Sequence, residues 1–506
     1  TSLVGVAPPV FRRRYKYING KYFLDWRSVS LRKTTDKLRT PTVKGRRLNV
    51  LLRDVSDNIF FNDEEQIAWY RLGPQAYDWL EDGGKLNVVN TITTAYSTLM
   101  GARTKPLECM ILSHPQPFDV QAWLRQSFVK SNNKKSYREW MTAQAQMLKD
   151  ADFNTRHTYF GVKIGNRHEV DVDLDGSEIR VWVKNVIAGF KAVVNKLSRS
   201  RDIVLTEEED NLAHERERAI FDTISRSALA AERVSPAELL YVQKSMFYPA
   251  MPVPALTVDH GNRMTAADLV EEFSHVIDNT ARDCLRFEQI IDNQVREGWR
   301  STMTLLKTSK DMSLPESMTY IQLLDSVDSN ASFFSRFTLY PVEDVQKALQ
   351  AEKKRTKDQV KNAAMAASTD DYDQNVEGFE EKLLEHMKEA DRAEQYVTYH
   401  PAPWFEGSFH VVVTDTTKDG VRSQVKALSE LFGKNAVVTM CRRDEQAALF
   451  LEGMLGDRKR FWGAEQTATL PMLAATGANF VNEVGDRIEP LNNYVKQYKS
   501  PISKSN

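Results

Sequence analysis

The residues of this chain whose types and spacing could do chemistry fall in a few short runs. Asp171, Asp173 and Asp175, followed by Gly176, set carboxylates at alternate positions before a turn-permitting glycine, as a calcium loop does. The twelfth position, where such a loop closes its shell with a bidentate Glu, is Trp182. A turn after an exposed strand is therefore expected, with Asp175-Gly176 as the turn pair. His214-Glu215 opens like a zinc-protease helix, but Arg218 stands where the second histidine belongs, which predicts a solvated helix face instead. Gly433-Lys434 resembles the end of a phosphate-binding loop, with Leu428 in place of the first glycine and Asn435 in place of the magnesium-binding hydroxyl. Gly433 is better read as a helix C-cap before the next strand. Neither a Gly-x-Ser-x-Gly elbow nor a GxGxxG turn occurs. No catalytic, cofactor-binding or metal-ligating residue is assigned, and assembly rather than chemistry is the expectation. A constellation dispersed through the chain is the alternative that stays open.

Two basic runs have the composition for phosphate or lipid head groups. Lys353, Lys354, Arg355 and Lys357 share a helix with Glu343, Asp344, Glu352 and Asp358, which predicts a solvated face. Arg458, Lys459 and Arg460 are followed by Phe461 and Trp462, a pairing of cations with aromatics suited to stacking on nucleic acid or to a membrane interface.

Composition limits the partners. Lys and Arg number 68 against 69 Asp and Glu in 506 residues, so any contact with nucleic acid or anionic lipid must come from a local patch. At 42% hydrophobic, the chain can fill packed cores. Cys109, Cys284 and Cys441 lie far from the CxxC spacing of zinc and redox sites, which predicts three isolated buried thiols in a reducing, cytoplasmic setting, with a single disulfide as the alternative. No stretch approaches the roughly 18 consecutive apolar residues of a membrane-spanning helix. The start at Thr1 without methionine fits a processed product or a fragment.

The elements that must position these runs follow an α+β order. Ile59–Phe61 and Ile67–Leu72 flank the acidic turn 62–65, which predicts a hairpin. A helix over 86–99, a strand over 107–112 stopped by Pro115 and Pro117, a helix over 136–150 and a strand over 158–164 come next. Residues 177 to about 296 read as helical, with starts at Thr206 and at Ser235-Pro236. Phe333–Tyr340 reads as a buried strand, two long helices over 342–396 form an αα-hairpin, and strand and helix alternate over 409–455. The expected organisation is a basic arm or linker (1–57), a first α+β lobe (58–175), a helical region (176–298), a second α+β lobe carrying the inserted helical hairpin (299–485), and a tail (486–506).

Three stretches carry a family resemblance: the hairpin Ile59-Phe60-Phe61 with Ala68-Trp69-Tyr70, the segment from Pro115 through Phe118 to Trp123, and Tyr159-Phe160-Gly161-Val162-Lys163-Ile164. They resemble the amino-terminal part of the VirB-four/TraC-like ATPases of conjugative type IV secretion, and the similarity continues through Ser335–Pro341 and the lobe around 409–441. The resemblance implies docking to membrane components of a secretion channel, self-assembly into a homo-oligomer, and a peripheral position at the inner face of the cell membrane. It also implies that ATP and magnesium belong to a following RecA-like motor domain. The Walker segments of that motor are absent before Asn506, so no catalytic residue carries over. The chain is expected to be either the front of a longer motor or a paralogue without one. A nucleic-acid or membrane-surface binding protein using the basic runs is the competing reading.

Overall fold

The computed structural model describes, apart from short gaps and a few isolated positions, residues 15–18, 21–24, 42–43, 46–47, 52–117, 135–150, 154–166, 205–256, 263–264, 276–308, 318–326, 331–367 and 402–480. The chain divides into two units, residues 1–40 with 172–204, and 41–171 with 205–506. The described part of the first unit is the antiparallel pair β1 (Tyr15–Ile18) and β2 (Lys21–Leu24).

The second unit is built on one 16-stranded sheet. Its strands are β3 (Thr42–Val43), β4 (Arg46–Arg47), β5 (Asp54–Ser56), β6 (Ile59–Phe61), β7 (Glu65–Arg71), β8 (Leu107–Pro117), β9 (Asn154–Asn166), β10 (Glu232–Arg233), β11 (Arg263–Met264), β12 (Val276–Asp278), β13 (Leu285–Ile291), β14 (Gln294–Thr308), β15 (Ser332–Tyr340), β16 (Trp404–Asp415), β17 (Val437–Cys441) and β18 (Gln466–Thr469). The order is β11-β5-β6-β7-β9-β8-β15-β16-β14-β13-β12-β3-β4, with β10 on β7, β17 on β14 and β18 on β16. All pairs are antiparallel except β12 with β3. The helices are α1 (Asp82–Met100), α2 (Lys135–Asp150), α3 (Glu207–Ile224), α4 (Pro236–Ser245), α5 (Tyr320–Asp325), α6 (Val342–Ala367), α7 (Lys418–Lys434), α8 (Gln446–Glu452) and α9 (Leu470–Ala474).

Both faces of the central strands are apolar, which is why Ile59-Phe60-Phe61 and Ile67–Tyr70 are continuous hydrophobic runs. Ile59, Phe61, Ala68, Tyr70, Phe160, Phe333 and Phe409 face a core closed by α1, α3, α5, α7 and α9. Their alternates Phe60, Ile67, Trp69, Met110, Phe334 and Val412 face a second core closed by α4, Phe247 and α8. The helix starts follow local chemistry. Thr206 and Glu209 form a capping box for α3, and Ser235 caps α4 ahead of Pro236.

The α+β class holds, and several details differ from expectation. The early and late blocks share one sheet, joined where β8 pairs with β15, Phe337 opposite Cys109. The region read as helical to about 296 carries β13 and the start of β14. Leu285, Phe287, Gln289 and Ile291 alternate with partly or fully exposed neighbours, the two-residue period of a strand. Residues 52–57, read as the end of an arm, contribute β5, with Val55 in the second core. Strand β8 runs through both prolines, because beyond Ser113 it has lost β15 and pairs only with β9, and an edge strand tolerates a missing N–H. Gly433 lies inside the last turn of α7, and Asn435 is the C-cap. Of the αα-hairpin, α6 is described and the second helix lies outside the described residues. The three cysteines are free thiols. Among the described residues, no helix is long and apolar enough to cross a membrane.

Candidate functional site

Four adjacent strands align charged and aromatic side chains on the second face of the sheet. Trp69 of β7, Gly161 of β9, Met110 of β8 and Arg336 of β15 are cross-strand partners in one row. In the next row Ile67 pairs with Lys163, and Glu108 with Thr338. With Glu65 and Lys459, these residues line a cleft offering about 40 Å³, room for a few water molecules and far short of the roughly 300 Å³ of a small-molecule pocket.

The electrostatics of the cleft are internally balanced. Lys163 Nζ donates to Glu65 Oε1 at 2.9 Å and to Glu108 Oε1 at 2.8 Å. Burial alone would lower the ammonium's pKa, but the two carboxylates outweigh it and raise the pKa above its ordinary value. Burial likewise opposes ionisation of Glu65, and Lys163 with its hydrogen bond overcomes it, so the carboxyl titrates below the usual range. Arg336 is buried, its Nε donating to the Glu452 carbonyl at 2.6 Å and its Nη2 to the Met454 carbonyl at 3.0 Å. Those bonds tie the turn after α8 to the sheet. Asn62 adds a bond to the Gly456 carbonyl, and Gly456 sits at φ 77°, a conformation that favours glycine.

That turn sets the position of the second basic run. Arg458 Nη1 meets Glu64 Oε2 at 3.0 Å and Lys459 Nζ meets Glu465 Oε1 at 2.9 Å, so both cations already have carboxylate partners. Arg460, Phe461 and Trp462 lie outside the described residues. The first run sits on α6, a separate element, where Lys354 and Arg355 are exposed and Lys353 is half-buried; the side chain of Lys357 lies outside the described residues. The calcium-like run Asp171–Gly176 also lies outside them.

The His214–Arg218 segment corrects the reading of a solvated face. Glu217 is buried and accepts from Arg233 Nε at 2.9 Å and Nη2 at 2.8 Å, and from Asn58 Nδ2 at 3.2 Å. The Arg233 guanidinium lies 3.8 Å from the Phe221 ring centroid. His214 bridges Asp57 Oδ2 at 3.0 Å and the Asp210 carbonyl at 2.8 Å. This network fastens α3 to the β5–β6 turn and to β7. No group of three or more His, Cys, Asp or Glu suited to a metal occurs among the described residues.

Sequence reasoning missed Glu65, Glu108, Lys163 and Arg336. The available signal was a charge at an inward strand position, as with Arg336 inside the aromatic run Phe333–Tyr340. It also missed exposed apolar positions on regular elements: Val438 and Met440 on β17, Ile290 and Val295 at the tip of the β13–β14 hairpin, and Trp140 and Met147 on α2. No protein-family model matches this chain, and no curated protein matches it.

Proposed function

We propose that this chain is an assembly and docking module of a conjugative type IV secretion machine, similar to the amino-terminal part of its VirB-four-like motor ATPase. The observation that carries an assembly role is the edge of β17. Strand β14 pairs with β13 over Gln294–Arg300 and with β17 over Met303–Thr308 on one side, leaving β17 as an edge. Among the described residues β17 has a strand on one side only. Its sequence Val437-Val438-Thr439-Met440-Cys441 contains no charge and no proline, the usual protections of an edge. Val438 is 54% exposed and Met440 43%. An unprotected, β-prone edge accepts a strand from a second copy or from a partner by main-chain hydrogen bonding.

The stretches that carry the family resemblance fall on strands. Ile59–Phe61, Ala68–Tyr70, Tyr159–Ile164 and Ser335–Tyr340 are far apart in sequence and belong to β6, β7, β9 and β15, around the middle of one sheet. In that family, ATP hydrolysis belongs to a separate RecA-like domain, so this chain is read as placing a motor rather than being one. The ion pairs at Arg458 and Lys459 weigh against the nucleic-acid reading.

Light scattering of the purified chain at increasing concentration tests the proposal. An oligomer that persists in high salt, and that the edge substitutions Val438→Lys and Met440→Lys dissociate, is the expected result. A monomer at every concentration that also fails to bind any channel component would sink it. ATP turnover by the chain would replace assembly with catalysis. DNA binding that falls steeply with salt and is lost on replacing Arg458, Lys459 and Arg460 would favour the competing reading.

A further inference from the structure

Arg336 and Arg300 are both more than nine-tenths buried, and the fold provides for them differently. Arg336 has carbonyl acceptors for two of its nitrogens. Arg300 of β14, 4% exposed, has no such provision: among the described residues no carboxylate or carbonyl accepts from its guanidinium, and Nε is enclosed without a hydrogen-bond partner. Burial is the one influence on its pKa, which falls to about 9 with no anion to hold it up. Its cross-strand partners are Leu285 of β13 and Thr414 of β16. Over them, the Phe450 ring of α8 lies 4.8 Å from Cζ, and Gly453, the C-cap of α8, has no side chain where Nη2 passes, 3.3 Å from the place of a Cβ. A ring face compensates a cation only in part, whereas a buried ion calls for a counter-charge and full hydrogen bonding.

The surroundings add bases rather than acids. His114 of β8 lies within range of the Arg300 charge, and the groups that act on it are Arg156, Arg300 and His157. Arg156 is already committed, to Asp325 Oδ1 at 2.8 Å and 3.0 Å and to the Ala331 carbonyl at 3.0 Å. The hydrogen bonds of His114 close on themselves. Ser245 Oγ donates to the Val242 carbonyl at 2.7 Å and so accepts from His114 Nε2 at 3.0 Å, which leaves Nδ1 to accept from Ser332 Oγ at 2.8 Å. Arg300 is the group left with both charge and donors unspent. This end of the sheet is not sealed, because His114 and Thr414 are partly exposed. The planar fork of a guanidinium matches the oxygens of an oxyanion, and the Thr414 hydroxyl shares its face of the sheet as a second donor.

We infer that Arg300 anchors a binding site for a small phosphate-like oxyanion, reached from the partly exposed end of the sheet at Thr414 and His114. The guanidinium supplies the charge and two or more donors, and Thr414 a further donor. A bound anion braces α8 against β14 and β16, since Arg300 touches all three elements. The site is independent of the assembly reading, because it uses neither β17 nor any contact between copies.

The test is calorimetric titration of the full chain with inorganic phosphate, and separately with glycerol phosphate, in chloride buffer of constant ionic strength. Saturable binding is the expected result, with a thermal midpoint that rises by about 1–3 °C at a tenfold excess over Kd and then levels off. Arg300→Met abolishes the binding. Arg300→Lys weakens it about tenfold, because an ammonium keeps the charge and loses the fork. Thr414→Val weakens it roughly fivefold through one lost donor. Replacing an unpaired buried charge by an apolar side chain of similar length is neutral or stabilising, so without phosphate Arg300→Met should melt no earlier than the parent. An Arg300→Met chain that fails to fold would show that Arg300 is already paired, and would overturn the inference. So would the absence of saturable binding to the parent, or equal binding by the folded Arg300→Met variant. A midpoint that climbs with phosphate equally in both chains would assign the effect to exclusion from the surface, and would also overturn it. Tighter binding of the ester assigns the site to a phosphorylated small molecule, and tighter binding of phosphate assigns it to the free anion. Light scattering of the same samples reads the oligomer separately, so failure of one proposal is distinguishable from failure of the other.

Discussion

Trp69 of β7 lies directly over Gly161, its cross-strand partner on β9, so closely that a Cβ at position 161 would come within 2.8 Å of ring carbon Cη2. The glycine is there for space. Its neighbours on β9, Phe160 and Val162, are buried, and an indole with no exposed surface fills the volume that a side chain would occupy. Gly161→Ala should therefore destabilise the protein by about 1–3 kcal/mol through overpacking. Urea denaturation measures the loss. Trp69→Leu should make the same glycine substitution cheaper, so a double-mutant cycle with no coupling would contradict the stacking account.

Arg336 joins β15 to the turn after α8 through two carbonyls. Arg336→Met is isosteric in its stem but leaves the Glu452 and Met454 carbonyls without their donor, at a cost of about 1–3 kcal/mol each. Arg336→Lys should rescue only part of this, because an ammonium lacks the planar fork that reaches both oxygens. Faster proteolysis near residues 452–459 than in the sheet would locate the loosened segment.

Glu217 is 3% exposed on its side chain and accepts a two-point contact from Arg233. Because Arg233 is 44% exposed, solvent screens part of the pair, and Glu217→Gln should cost about 1–3 kcal/mol, chiefly from the changed hydrogen bonding at a buried site. Hydrogen exchange should quicken in α3 before it does in β9, since the network holds the helix and not the strand.

Acid should unfold the protein through two histidines, the fully buried His410 and the half-buried His114. His410 bonds Thr304 Oγ1 at 3.1 Å and Ser408 Oγ at 3.0 Å, and burial, with the added field of Lys459, Arg442 and Arg336, pushes its pKa down to about 3. His114, held between Ser332 and Ser245, is pushed down to about 3 by burial and by Arg156, Arg300 and His157. Each binds its proton more readily in the unfolded chain, where the ordinary value is 6.5. Stability is therefore complete above that value and falls as pH drops toward 3, by up to about 1.4 kcal/mol per pH unit for each histidine. His410→Gln and His114→Gln should each flatten the acid limb of a stability profile. His214 acts in the opposite sense. Burial would lower its pKa, but the Asp210 carbonyl and the Asp57 and Asp210 carboxylates raise it, so its contribution is present below 6.5 and is lost as pH rises through the raised value.

Local chemistry wrote much of this fold into the sequence. The capping residues Thr206 and Ser235 start α3 and α4 because a side-chain oxygen meets a free helical N–H whatever surrounds it. The strands at Ile59–Phe61, Phe333–Tyr340 and Phe409–Thr414 were legible from their β-branched and aromatic runs, although the last begins earlier, at Trp404, and the α+β class was legible from the order of elements. What the pattern could not convey was partnership. A continuous apolar strand does not say which strand lies beside it, so a single sheet joined at β8 and β15 was read as two lobes. The prolines of β8 looked like stops because only the tertiary pairing reveals that the strand has reached an edge there. Charges followed the same division. Arg458 and Lys459 read as a free basic patch until the turn after α8 brought Glu64 and Glu465 to them from other parts of the chain, whereas Trp140 and Met147 read as ordinary helix residues until the fold left them uncovered. Residue types and their periods act over a few neighbours and were settled by the sequence itself. Which charges are neutralised, which edges stay open and which apolar faces remain exposed depend on contacts between distant segments, and only the tertiary structure decided them.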